Sequence, residues 1–302
     1  MSILESIGNT PLVTVDNLNP NPHVKLLAKL EGANPGGSVK DRIALYMINV
    51  AEKEGKLSRD KIILEATSGN TGIGLAMVGA AKGYRVKLTM PACVSVERRR
   101  VLEALGAELI ISPSEEGTDG AIRLAYKILE EAPDLYFMPD QFGNPANVLA
   151  HYETTGPEVI EQTKGEITHF VGGMGTTGTL MGVRKRLKEF RSDIKVIGAE
   201  PRLGHRIQGL KNMSESIVPR IFDPSMLDDR VIIQDEDAFN TTRMLSIKEG
   251  IFVGMSSGAA MKAALDVAAR LKEGTIVVVL PDRGDRYLST SLFASVCAKC
   301  PP

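Results

Sequence analysis

The residues of this sequence with the clearest capacity for chemistry lie in Pro35-Gly36-Gly37-Ser38-Val39-Lys40-Asp41-Arg42. Ser38 and Asp41 have capping-box spacing, and Ile43, Met47, Val50 and Ala51 recur at helical intervals, which predicts a helix beginning near Val39. Lys40 then sits at the positive end of a helix dipole. That position disfavours the ammonium and favours the neutral amine, the form that attacks carbonyls and makes Schiff bases. A surface lysine after a glycine turn fits this stretch equally well, so other residues must decide.

Three further loops have a chemical character. A buried strand expected at 61–66 leads into Thr67-Ser68-Gly69-Asn70-Thr71-Gly72 and then a small-residue helix over 73–82. Hydroxyls and free backbone N–H groups at a helix start, with no lysine or arginine among them, suit a carboxylate held by neutral donors. A second unit of this kind runs from a strand at 167–171 through Gly172-Gly173-Met174-Gly175-Thr176-Thr177-Gly178-Thr179 into a helix over 180–190. Glycines that allow close backbone approach, threonine hydroxyls and a helix N-terminus together make a phosphate cup. The third is Gly254-Met255-Ser256-Ser257-Gly258, ahead of a helix over 259–271.

These loops require a scaffold of alternating strands and helices. Strands are expected at 25–30, 61–66, 84–90, 108–111, 135–138, 167–171, 195–199 and 275–280, and helices at 95–105, 119–131, 151–162 and 237–248. The cluster Pro139-Asp140-Gln141-Phe142-Gly143-Asn144-Pro145 is the best candidate domain boundary, and the loop-rich stretch 200–229 is a candidate mobile site element. The run Arg98-Arg99-Arg100, flanked by Glu97 and Glu103, reads as a solvated face.

Composition narrows the partners. With 36 basic and 37 acidic side chains in 302 residues, neither nucleic acid nor a membrane surface is indicated, and a small-molecule partner is expected. No leader peptide or apolar run of membrane-spanning length is readable, so a cytoplasmic protein is expected. Four scattered histidines predict no metal site. Cys297 and Cys300 form a lone C-x-x-C, read as an incidental pair.

Two cofactors compete for the glycine loop. Gly173-x-Gly175-x-x-Gly178, with Glu200 at the next strand end, matches a dinucleotide fingerprint and would make a Rossmann protein. That reading leaves the lysine, carboxylate and serine loops without a role. Pyridoxal phosphate uses all of them: a Schiff-base lysine, a phosphate cup, a polar group at the pyridine nitrogen and a carboxylate site.

With Gly8-Asn9-Thr10-Pro11-Leu12, the stretch from Pro35 to Arg42, the loops at Thr67, Gly175 and Ser256, and Arg286-Tyr287-Leu288-Ser289-Thr290, the sequence resembles the cysteine synthase family over nearly its whole length. It is most similar to the cysteine synthase B (O-acetylserine sulfhydrylase B) branch of the tryptophan-synthase-β-like enzymes. The resemblance implies an α/β homodimer of two three-layer α/β/α domains of fold type II. Residues 1–36 and 145–302 would form the larger, cofactor-binding domain and 37–144 a smaller mobile one. It implies Lys40 as aldimine lysine and α-proton base, Asn70 at the pyridine 3'-oxygen, Gly175, Thr176, Thr177, Gly178 and Thr179 at the phosphate, and Ser256 at the ring nitrogen. Thr67, Ser68, Thr71 and Gln141 would bind the substrate carboxylate. The implied reaction makes L-cysteine from O-acetyl-L-serine and sulfide or thiosulfate through an α-aminoacrylate; O-phosphoserine sulfhydrylase and cystathionine β-synthase activities are the rivals. Lys211 stands where the branch often has an arginine, and with Arg206 and Arg220 it is expected to attract an anionic sulfur donor.

Overall fold

The computed structural model describes residues 1–67, 69–215 and 217–293. Leu12–Thr14 (β1) and Val24–Leu30 (β2) open the chain as an antiparallel pair. Ile62–Ala66 (β3), Arg85–Pro91 (β4), Glu108–Ser112 (β5) and Tyr136–Phe137 (β6) make a parallel sheet in the order β5-β4-β3-β6. His169–Gly173 (β7), Lys195–Pro201 (β8), Asp229–Ile233 (β9) and Gly274–Leu280 (β10) rejoin the first two strands in a sheet ordered β1-β2-β10-β7-β8-β9. The chain passes from the smaller sheet back to the larger one after β6, at the Asn/Pro/Gly cluster.

Both sheets are covered on both faces. Parallel strands buried in this way read as near-continuous apolar runs, as β10 does and as β3 does apart from the buried Glu65. Along β10, Ile276, Val278 and Leu280 face one core and Val277 and Val279 the other, the two-residue period of a strand. The first core is closed by Asp235–Glu249 and Met255–Ala268, the second by Gly156–Gln162 and Gly178–Phe190. In the smaller sheet, Ile63 and Leu88 pack under Lys40–Lys53 and Asn70–Lys82, while Ala66 packs under Gly117–Glu131. The result is two α/β/α layers, as expected. In chain order the helices are α1 (Lys40–Lys53), α2 (Asn70–Lys82), α3 (Val96–Ala104), α4 (Gly117–Glu131), α5 (Pro145–Ala150), α6 (Gly156–Gln162), α7 (Gly178–Phe190), α8 (Asp235–Glu249) and α9 (Met255–Ala268).

Helix α1 belongs to both layers. Ala44, Ile48 and Ala51 enter the core of the smaller sheet, whereas Ile43 and Met47 pack on Ala146 and Ala150 of α5. Its first turn is tied down by charge. Arg42 donates from Nε to Glu31 Oε2 at 2.7 Å and from Nη1 to Glu158 Oε1 at 2.6 Å, and Lys29 Nζ meets Glu158 Oε2 at 2.7 Å. Glu31 follows β2 and Glu158 lies on α6, so one buried guanidinium joins α1 to two elements of the larger layer.

Several local expectations differ from the structure. The capping box does not form: Ser38 Oγ accepts from Lys40 N at 3.2 Å, and the Asp41 carboxylate instead accepts from Gly36 N at 2.6 Å, closing the preceding glycine turn. The helix expected at 151–162 starts at Pro145 and is interrupted by a π turn, His151–Thr155. Strand β9 has no counterpart in the expected strands: it is an edge strand whose apolar stretch is only Val231-Ile232-Ile233, behind the exposed Asp229 and Arg230. Cys297 and Cys300 lie outside the described residues.

Replacing Arg42 by methionine removes the guanidinium that Glu31 and Glu158 share, leaving Lys29 as the remaining cation beside Glu158, and is expected to destabilise the fold by about 3–5 kcal/mol, seen as a lowered thermal midpoint. The network also sets an acid limit. Burial raises the Glu158 carboxyl, but hydrogen bonding and charge from Arg42, then Lys29, outweigh it and hold the group at about 2 instead of 4.5. A depressed carboxyl stabilises the fold above its unfolded value and loses that contribution as the pH falls through the folded value. Glu158→Gln should therefore flatten the loss of thermal stability between pH 4.5 and about 2.

Candidate functional site

The C-terminal ends of β3, β7 and β10 point to one place between the two sheets, and the N-termini of α1, α2, α7 and α9 close on it. Their residues line a single cleft: Lys40, Asn70, Thr71, Gln141, Gly175, Thr176, Thr177, Thr179, Lys211 and Ser256. Ligand sites of open α/β sheets lie at strand C-termini for this reason, since helix N-termini and connecting loops gather there. Thr67 and Gly178 are buried just behind the lining. Ser68 lies outside the described residues.

Lys40 opens on the cleft, and among the described residues its Nζ has no hydrogen-bond partner. Burial pulls the amine from 10.5 down to about 8, against the opposing negative charges of Asp282 and Glu31. The dominant cause is therefore desolvation, where the sequence pointed to the helix end.

In the glycine loop, Thr177 takes φ +66° immediately before α7, and its hydroxyl donates to the Thr176 carbonyl at 2.6 Å. Asn147 Nδ2 supports Thr176 Oγ1 at 3.2 Å. Thr179 Oγ1 lies 3.1 Å from His151 Nε2, and His151 Nδ1 lies 2.9 Å from Thr155 Oγ1. Burial, then the charges of Lys40 and Arg42, keep His151 neutral by lowering it well below its ordinary value. Close packing explains two glycines: a Cβ at Gly175 would lie 2.6 Å from the Gly209 carbonyl, and one at Gly178 would strike the Asn147 side chain. An anion here meets backbone N–H groups, hydroxyls and the start of α7.

Across the cleft, Thr67 Oγ1 accepts from Gly69 N at 3.0 Å and Gly72 N at 3.2 Å, fixing the start of α2. Thr71 Oγ1 donates to Gln141 Oε1 at 2.6 Å, and Gln141 Nε2 donates to the Ala66 carbonyl at 2.8 Å. The Asn70 amide is held from both sides: Nδ2 donates to Asp282 Oδ2 at 2.6 Å and Oδ1 accepts from Arg286 Nη1 at 2.5 Å. Ser256 is buried at the start of α9, and its hydroxyl has no hydrogen-bond partner among the described residues.

Arg206, Lys211 and Arg220, the cations expected to attract an anionic donor, each have a carboxylate partner. Lys211 Nζ pairs with Asp119 Oδ1 at 2.8 Å, Arg206 with Asp235 at 3.4 Å, and Arg220 with Asp140. Arg98, contrary to expectation, is not on a solvated face. Its side chain is 1% exposed, lines the cleft, and reaches Tyr287, Gln208 and Asp282. The acidic neighbours in sequence suggested solvation, but helical geometry turns Arg98 inward while Arg100 points away. Asp282, which holds Asn70, was also missed; nothing in its local sequence distinguishes it from a turn aspartate. Glu200 is occupied, accepting from Met213 N at 2.9 Å and pairing with Arg230 at 3.3 Å, so it is not placed to bind a ribose.

Over residues 3–282 the chain matches the family described as "Pyridoxal-phosphate dependent enzyme". It is 49% identical over 294 residues to cysteine synthase B of Salmonella typhimurium, covering 97% of this chain and 96% of that one. It is 49% identical over 301 residues to a cysteine synthase of Aquifex aeolicus, covering 97% and 92%. Its fold superposes on the crystal structure of O-ureido-L-serine synthase with a TM-score of 0.92 at 41% identity, covering 99% and 96% of the two chains.

The depressed lysine gives a direct expectation. In cofactor-stripped protein, acylation of Lys40 by a soluble amine reagent, followed by peptide mapping, should rise with pH through a midpoint near 8, ahead of surface lysines at about 10.4. A midpoint matching the surface lysines would remove the case for an activated amine.

Proposed function

The chain belongs to the pyridoxal-phosphate-dependent enzymes, and we propose that within that family it makes L-cysteine from O-acetyl-L-serine, replacing acetate with a sulfur nucleophile. The observation that carries the reading is the Lys40 amine, without a hydrogen-bond partner among the described residues and lowered to about 8, facing a cup of neutral donors for an anion. The donor set fits the cofactor. Gly175, Thr176, Thr177, Gly178 and Thr179 would take its phosphate, Asn70 its ring oxygen, and Ser256 its ring nitrogen. Bound there, pyridoxal phosphate supplies an aldehyde for a lysine amine and a ring that accepts the electrons released when an α-proton leaves.

The residues of the chain divide the remaining work. Lys40 Nζ, with a proton affinity close to the working pH, takes the substrate α-proton and later returns one. Thr67, Ser68, Thr71 and Gln141 hold the substrate carboxylate, with Thr71 and Gln141 already locked to each other at 2.6 Å. The Ser256 hydroxyl is neutral and does not force the ring nitrogen to be protonated, which moderates the electron sink and suits β-replacement. Residues 37–144 act as the smaller, mobile domain against 1–36 and 145–302, and the working form is a homodimer in the cytoplasm. Among the described residues no helix is long and apolar enough to cross a membrane, and no cluster of ligands could hold a metal.

Purified protein loaded with cofactor should form cysteine from O-acetylserine and sulfide, and Lys40→Ala should lower that rate by about 10²–10⁴-fold. Turnover of O-phosphoserine alone, or formation of cystathionine with homocysteine as acceptor, would overturn the substrate assignment. Gly178→Ala should reduce the cofactor retained through gel filtration, because the new Cβ displaces Asn147 from behind the cup. Lys211 enters as a contact for an anionic donor once its pair with Asp119 opens. Asp119→Asn should accordingly raise kcat/KM for thiosulfate several-fold relative to sulfide, an advantage that added salt erodes. An unchanged ratio would exclude Lys211 from donor selection.

A further inference from the structure

Arg98 brings together three segments that are remote in sequence and all border the cleft. Its aliphatic stem covers Gly69, which takes φ +135° and at which a Cβ would lie 2.5 Å from Arg98 Cδ. Nη1 donates to Gln208 Oε1 at 3.1 Å, on the segment that carries Lys211. Nη2 donates to Tyr287 Oη, and the guanidinium carbon stands 4.6 Å from the centre of the Tyr287 ring. Asp282 Oδ2 lies 3.6 Å from Nη2 and also accepts from Asn70 and from Tyr287. The side chain is 1% exposed, so a charge has been taken out of water on α3 to reach across to the larger layer.

We propose that Arg98 is a positioning residue for the amino-acid substrate: it clamps Gly69 and so holds Thr67, Gly69 and Thr71 in their carboxylate-binding geometry, in register with Asn70 and with Gln208. The inference rests on reading the loop at Thr67 as the carboxylate site. The sequence of the loop contains only neutral donors, and the fold supplies the guanidinium behind them from 29 positions further along. Asp282 offsets the positive charge, so Arg98 contributes its planar fork and its stem more than its net charge. Lysine keeps the charge but has one ammonium, which cannot span Gln208 and Tyr287 together. A charge-conserving substitution should therefore fail to preserve the function.

The test uses cofactor-loaded wild type, Arg98→Lys, Tyr287→Phe and the double variant. The dissociation constant of L-serine is read from the change it causes in cofactor absorbance, alongside KM for O-acetylserine and for sulfide and the cofactor content. Arg98→Lys is expected to raise the serine Kd and the O-acetylserine KM by about tenfold or more, the size of one lost charge-assisted hydrogen bond. Sulfide KM and cofactor content should stay at wild-type values. Tyr287→Phe, which keeps the arginine but removes its Oη acceptor and the hydroxyl's bond to Asp282, should show a smaller rise, and the double variant should fall short of the product of the two single effects because they share the Arg98–Tyr287 contact. If Arg98→Lys does not fold, Tyr287→Phe carries the test by the same serine readout. An unchanged serine Kd in the variants would overturn the proposal, as would a parallel loss of cofactor and sulfide affinity, which marks general structural damage. Weakened serine binding in a protein whose wild type makes no cysteine would leave the clamp standing and remove only the reaction assignment.

Discussion

The guanidinium of Arg42 is satisfied by Glu31 and Glu158, two carboxylates that belong to the layer opposite most of α1's own packing. It adds to the packing of Ile43 and Met47 on α5, the other tie between α1 and the larger layer. With it, the first turn of α1 is fixed against β2 and α6, and Lys40, two residues earlier, is held at the junction of the two sheets. The depth that this imposes is also what lowers the Lys40 amine: burial disfavours its charged form more than Asp282 and Glu31 favour it. A structural ion network thus sets the chemistry of a group that is not part of it.

The rest of the site follows from the direction of the strands. Parallel strands in both sheets deliver their C-terminal loops to the same side, and each loop is followed by a helix whose start is positive. Glycine at positions 175 and 178 lets backbone and Asn147 approach closely behind one such loop, while Thr67 and Gln141 stiffen the loop opposite. The cleft is therefore neutral in most of its donors, with Lys40, Lys211 and Arg98 as its cations, the last two paired with Asp119 and Asp282.

What was legible in the sequence were features written within a few residues. The strand at 275–280 is an apolar run and the one at 61–66 is mostly apolar, and the glycine and threonine loops stand between strands and helix starts as their sequence indicates. Long-range geometry was not. Arg98 sits in a run of three arginines, and only the phase of α3 against the last loop decides which one turns inward. The pairing of Lys211 with Asp119 was not legible because the two are 92 residues apart. The capping box failed because Asp41 had a better use in closing the Gly36 turn, a choice between two local hydrogen bonds that spacing cannot resolve. Strand β9 lies at a sheet edge with most of its residues exposed, so its apolar period was too weak to read.

We propose that Lys40, placed by the Arg42 network, is the residue that engages the cofactor. The most direct test is reduction of the cofactor-loaded protein with borohydride, followed by digestion and mass spectrometry. The cofactor's mass should be found on the peptide carrying Lys40, and should be absent from that peptide in an Arg42→Met protein that still folds but no longer holds α1 in place. Cofactor attached to another lysine in the wild-type protein would contradict the account.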